Sequence, residues 1–130
     1  RGAVCHAGER QPSKSAPQEI DPSSKRSQFH RMPRIVAELN AALPVGLSFI
    51  DGIETMRGGE GPWVGKVDVV QPGLLILGTN AVNTDAVGTA LMGHNARAAH
   101  GSGAFSFCDN QFLFAEGLGL GTADVNQIDV

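Results

Sequence analysis

The stretch "LLILGTNAVNTDAVGTALMG", Leu74 to Gly93, constrains this chain more than any other. Its first four residues are apolar without interruption up to the glycine. That is the pattern of a strand covered on both faces, as in a parallel sheet layered by helices. The second half reads as a helix. Asn83 or Thr84 can cap it, Asp85 falls in its first turn, and Gly93 stops it. A strand running through a short polar turn into a helix is half of an α/β unit.

The remaining segments fit that expectation. "RIVAELNAAL" spaces Ile35, Leu39 and Ala42 about one turn apart, between Pro33 at its start and Pro44 at its end. A strand is predicted over Leu47–Ile53, closing on Asp51-Gly52. A shorter one is predicted over Lys66–Val70 before a Pro-Gly turn. A second helix is expected over Asp109–Leu118, and "NQIDV" reads as a closing strand. The predicted fold is α/β: a small, mainly parallel (possibly mixed) sheet with flanking helices, part of a larger domain. Residues 1–28 are rich in Pro, Ser, Lys and Gln and read as an extended arm, with "GAVC" as a strand end. Residues 29–130 read as the C-terminal part of one α/β domain.

Composition narrows the functional classes. Hydrophobic residues make up 42% and charged residues 18%, enough for a packed core. The net charge is −3, which gives no electrostatic case for nucleic acid. No apolar run approaches a membrane span. Two cysteines, Cys5 and Cys108, suit a reducing compartment, so a cytoplasmic location is expected. The chain does not begin at Met, which leaves an exported form open. There is no CxxC, hence no iron–sulfur cluster or zinc-ribbon motif within these residues.

"RGGEGPWVGK", Arg57 to Lys66, ends in Gly-Lys like a phosphate loop. The spacing rejects that reading. Residue 60 should be glycine and is Glu60, and the position after Lys66 should be Ser or Thr and is Val67. The following "VDVV" prefers strand, whereas a phosphate loop opens a helix. The stretch reads instead as a shaped rim or lid. Gly59, Gly61 and Gly65 set its backbone, and Trp63 anchors it or covers a pocket. A plain connecting loop is the alternative.

Three groups of polar residues are candidates for chemistry. Asp51 and Glu54 close the first strand, and Thr79, Asn80 and Asn83 close the apolar strand that begins at Leu74. With parallel neighbours, these groups and Asp85 would converge on one rim, where such sheets bind ligands. Paired carboxylates there suit a hard cation or acid–base work. The plainer readings are a turn-forming Asp-Gly at Asp51 and helix-dipole pairing at Asp85. The third group is His94, Asn95, His100, Cys108, Asp109 and Asn110. Its spacing matches no metal signature. A cysteine at a helix start gains thiolate character, which makes Cys108 a candidate reactive thiol, against the ordinary outcome of an inert apolar cysteine.

Several of these motifs occur in an order that resembles the domain-of-unknown-function family number 362. The matching positions are Asp51-Gly52-Ile53, Met56, Gly61-Pro62, Gly65, Asp85-Ala86-Val87, Met92-Gly93 and Gly119 to Gly121. Phe29-His30 resembles the family's histidine before its first helix in this region. The resemblance runs from about residue 25 to 130. It implies an α/β domain of unassigned chemistry, with iron–sulfur clusters in a separate segment of some members. This chain departs from the family's Asp-Pro before the helix, with Asn80-Ala81 and Asn83-Thr84 in its place. That leaves Asp85 as the only aspartate there.

Three functions follow as expectations. The first is a cleft for a small polar or anionic ligand, framed by Gly59, Gly61, Gly65, Asn80 and Asn83. Asp51, Asp85 and Cys108 are its candidate catalytic groups, and Asp51, Asp85, His30 and Asp109 its candidate metal ligands. The second is a redox-associated accessory domain beside an iron–sulfur module. The third is a non-catalytic structural module.

Overall fold

The computed structural model describes residues 28–58 and 67–130, with backbone alone for residues 28–31. Helix α1 covers Gln28–Ala42. Strands β1 (Ser48–Gly52), β2 (Thr55–Arg57), β3 (Asp68–Val70) and β4 (Leu74–Gly78) follow. Helix α2 spans Ala81–Leu91 and α3 spans Gln111–Gly117, with 3₁₀ turns at Gly103–Phe105 and Val125–Gln127. Residues 1–27 of the predicted arm and 59–66 of the predicted glycine loop, with Gly59, Gly61, Trp63 and Gly65, lie outside the described residues, whereas Gln28 already belongs to α1 and Arg57 to β2.

The sheet is not parallel. β1 pairs with β4 antiparallel, Ser48 opposite Gly78 and Gly52 opposite Leu74. β2 pairs with β3 antiparallel, Thr55 opposite Val70. The chain between β1 and β4 contains β2 and β3, themselves an antiparallel pair. No helix crosses over among the described residues there, and a parallel pair needs such a crossover. Between the two ladders, Ile53 and Glu54 on one side face Gln71, Pro72 and Gly73 on the other. One extra residue on the returning strand is the count of a β-bulge, which bends and twists the ladder. Gly73 N–H still reaches Ile53 O at 3.4 Å, and Gln71 Nε2 donates to Glu54 Oε2 at 2.7 Å. The four strands therefore form one bent hairpin. Pro72, with no N–H to offer, sits at the bulge, where the ladder asks for none.

The apolar run "LLILG" is covered on one face only. Ile50 and Ile76 are opposite one another in the ladder and lie under α2, where a Cβ on Gly88 would stand 2.9 Å from Ile50 Cδ1. At Gly78 an added Cβ would collide with the Thr84 hydroxyl. On the other face Phe49 and Leu77 are paired and exposed, at 60% and 65%. The period-2 alternation of a strand separates the two sets.

The core lies among α1, α2, α3 and the C-terminal segment. It consists of Ala37, Val82, Ala86, Ala96, Phe105, Phe112, Ala115 and Ala123. Five of these eight are alanine, so the elements approach closely rather than interleave large side chains. Phe105 and Phe112 supply most of the bulk, edge to face with ring centroids 5.9 Å apart.

Both short helices end as their sequences predict. Gly93 (φ +83°) follows α2, with its N–H on Ala90 O and the N–H of His94 on Thr89 O. Gly119 (φ +73°) repeats this after α3, with bonds to Glu116 O and, through Leu120, to Ala115 O. Both are Schellman motifs, which satisfy carbonyls a helix end leaves open. The helix starts differ from expectation. α1 begins at Gln28, so Pro33 falls in its second turn and forfeits one backbone bond. α2 is capped by Asn80 rather than Asn83 or Thr84, and α3 by Asn110. "NQIDV" forms no strand. Asp124 Oδ1 accepts Asn126 N–H at 3.1 Å, Asp124 Oδ2 accepts from Gln127 Nε2 at 3.0 Å, and a 3₁₀ turn results.

Two substitutions check this architecture by urea unfolding of the 130-residue chain. Gly78→Ala drives a methyl into the buried Thr84 and costs about 1–3 kcal/mol, as overpacking does. Leu77→Ser lies on the bare face and changes stability by about 0.5 kcal/mol or less, the ordinary range for surface positions.

Candidate functional site

The strand end after β4 is where the sequence places a ligand cleft. Asn80 caps α2 through its Oδ1, which accepts Asn83 N–H at 3.0 Å, while its Nδ2 donates to Leu120 O at 2.7 Å. Asn83 Oδ1 accepts the N–H of Thr122 at 2.8 Å. Thr84 is buried and returns its hydroxyl to Asn80 O at 2.7 Å. These side chains clamp residues 120–122 onto the start of α2. Between them lies Gly121, where a Cβ would stand 2.5 Å from Asn83 Oδ1, 2.6 Å from Asn80 Oδ1 and 2.9 Å from Val82 Cβ. Only glycine lets the backbone come this close.

The expected convergence of acids does not occur, because it required parallel strands. Asp51 is opposite Leu75, three pairs along the ladder from Ser48 and Gly78. At about 3.4 Å per residue that is roughly 10 Å from the end where Asn80 leaves the sheet. Asp51 is exposed, and its Oδ1 accepts the N–H of Ile53 at 3.0 Å, an Asx turn. Asp85 is also displaced from its expected place. With Ala81 as the first helical residue it lies in the second turn of α2, not the first. Its residue surface is largely open, yet partial desolvation of the carboxyl pushes its pKa above the ordinary carboxylate range. The dipole of a helix start, which would lower it, acts only within the first turn.

The third group divides in two. Asn110 is buried and fully engaged: Nδ2 donates to Ala96 O at 2.7 Å and Ala98 O at 2.8 Å, and Oδ1 accepts Phe112 N–H at 2.8 Å. It fixes the loop after α2 to the start of α3. His100 Nδ1 lies 2.6 Å from Asp109 Oδ1 on the surface, with the imidazole more than half exposed. The fold thus brings two of the predicted candidates of this group together. Cys108 is adjacent in sequence, and its surroundings act against thiolate character. Desolvation pushes its pKa up and the Asp109 carboxylate pushes it further. The sequence expectation placed Cys108 at a helix start; the helix begins three residues later, at Gln111. His94 follows the C-terminal glycine of α2, exposed. His30 falls in the first turn of α1 by its backbone. Among the described residues no three His, Cys, Asp or Glu side chains gather as metal ligands.

One pair escaped the sequence reading. Arg97 Nη1 donates to both carboxylate oxygens of Glu116, each at 2.7 Å, and Glu116 Oε2 also accepts the N–H of Ala123 at 3.3 Å. The hydrogen bond from Arg97 holds the Glu116 carboxyl below its usual range. A spacing of 19 residues carries no local signal. Together with the clamp at Gly121, this pair fastens the C-terminal segment.

The described chain is thus a small helix-and-strand domain whose polar strand end is closed by its own backbone. A family profile described as Domain of unknown function (DUF362) matches residues 3–90. The chain belongs to that family. The match reaches back to residue 3, further than the resemblance from residue 25, and stops before Met92-Gly93 and Gly119 to Gly121. No curated protein and no solved structure matches the chain. No helix among the described residues is long and apolar enough to cross a membrane.

Two measurements test the site's electrostatics. In a Cys5→Ser background, Cys108 should alkylate more slowly at neutral pH than a free model thiol, because a raised pKa leaves less thiolate. Asp85 binds its proton more tightly folded than unfolded, so its contribution is present below the unfolded pKa and lost as pH rises through the folded one. Denaturant titrations of Asp85→Asn should therefore lack the loss that the parent chain shows over that rise.

Proposed function

We propose that this chain serves as a structural module of its family's domain, shaping the fold rather than carrying out a reaction. One observation carries the reading. The amides expected to meet a ligand, Asn80 and Asn83, are engaged with Leu120 O and Thr122 N–H, and Gly121 fills the space between them. Asp51 and Asn110 point the same way, since each completes a turn or a cap.

A second reading, contact with a small polar or anionic ligand, rests on His100 and Asp109. A carboxylate at 2.6 Å orients the imidazole while leaving it open to solvent. Oriented surface histidines suit anion contacts or proton transfer. No described residue supports the accessory redox reading.

Thermal unfolding with and without inorganic phosphate, Mg²⁺ or Mn²⁺ separates the two. The structural reading expects the same midpoint throughout, whereas a ligand at 100 times its Kd would add about 2.7 kcal/mol. It also expects Asn83→Ala to lose about 1 kcal/mol, the cost of stranding the partly buried Thr122 N–H. A midpoint raised by phosphate and no longer raised in His100→Asn would favour the ligand reading and overturn the structural one.

A further inference from the structure

We propose that the family-matched segment carries a docking surface for a helix, and that this chain fills it with α3 from beyond the match, so that the two parts unfold as one. The match ends at residue 90, within α2, which runs to Leu91. An 11-residue helix is marginal in water without packing, so a boundary inside it does not end a folding unit.

The core lies astride that boundary. Ala37, Val82 and Ala86 fall within the match, whereas Ala96, Phe105, Phe112, Ala115 and Ala123 fall past it. An alanine buries one methyl and a phenylalanine a whole ring. The larger share of this core's apolar volume therefore comes from past residue 90, and apolar burial is the main favourable term in folding. The order of packing points the same way. Among the described elements the main neighbour of α1 is α3, and α3 packs in turn on α2. The first described helix of the match thus meets the second largely through a helix outside it.

The surface and its occupant fit each other. Ala37 on α1 with Val82 and Ala86 on α2 is a small-residue surface that lets a helix come close. α3 turns Phe112 and Ala115, three residues apart and so on one face, into the core. Two polar ties cross the same boundary: Asn80 Nδ2 to Leu120 O at 2.7 Å, and Thr122 N–H to Asn83 Oδ1 at 2.8 Å. With seven residues, α3 depends on this packing as much as α2 does. The inference goes beyond the structural reading and stands whether or not a ligand binds.

Hydrogen exchange of the full chain in rising urea, below its unfolding transition, tests this. The slowest amides of β4, α2 and α3 should converge on one rate with one urea dependence. Phe112→Leu, on α3, should speed the slowest amides of all three elements about tenfold, and equally to within about twofold. Val82→Ala, on α2 and inside the match, should do the reverse, speeding the α3 amides as much as those of α2 and β4. It carries the test by itself if Phe112→Leu does not fold, which circular dichroism shows.

Amides of β4 and α2 that keep their rates in Phe112→Leu while those of α3 quicken overturn the proposal, because the matched segment then stands alone. So does an α3 that exchanges through an opening of its own, with a shallower urea dependence than β4. In Val82→Ala, unchanged α3 amides beside faster α2 and β4 amides overturn it as well.

Discussion

The closure of the C-terminal segment over the start of α2 is the constraint on which the rest of the arrangement depends. Asn80 serves both sides of it. Its Oδ1 opens the helix by accepting Asn83 N–H, and its Nδ2 holds Leu120 O. Asn83 then takes Thr122 N–H. An amide side chain suits this work because it carries an acceptor and two donors at once. Aspartate, which the family's Asp-Pro pattern would place nearby, could only accept. The departure from that pattern is therefore consistent with the contacts seen here.

This clamp and the Arg97–Glu116 pair act on the same segment from different sides. Glu116 holds Arg97 and also accepts the N–H of Ala123, which is buried in the core. Asn110 does the equivalent for the loop after α2, accepting at the start of α3 and donating to Ala96 and Ala98. Small core residues and polar clamps belong together. Alanine surfaces bring backbones close but bury little area each, so directional bonds take a larger share in fixing the elements.

The hairpin is organised on the opposite principle. Ile50 and Ile76 are held under α2, while the paired outer residues Phe49 and Leu77 have no cover among the described residues. Exposed apolar surface of this kind marks interaction sites. Two-stranded hairpins are also marginal alone. The bulge at Gln71–Gly73 adds twist at the point where one pair of strands gives way to the next.

Local chemistry made much of this legible in advance. The positions of β1, β3 and β4, the helices after Gly78 and near Asp109, and the glycine stops at Gly93 and after Leu118 follow from apolar runs, caps and punctuation within a few residues. The Asx turn at Asp51 is equally local. Relations across the chain were not legible. A continuous apolar strand signals burial on both faces in general, but whether its neighbour runs parallel or antiparallel depends on what lies between them. Here, among the described residues, that is a bulged pair of strands and no helix. The choice of cap among Asn80, Asn83 and Thr84 depended on which amide the distant Leu120 carbonyl and Thr122 N–H would claim. Sequence determined the elements, because propensity and capping act within one turn. Tertiary structure decided strand direction, the separation of Asp51 from Asn80 and the pairing of His100 with Asp109, because hydrogen bonds and charges act on distance in space.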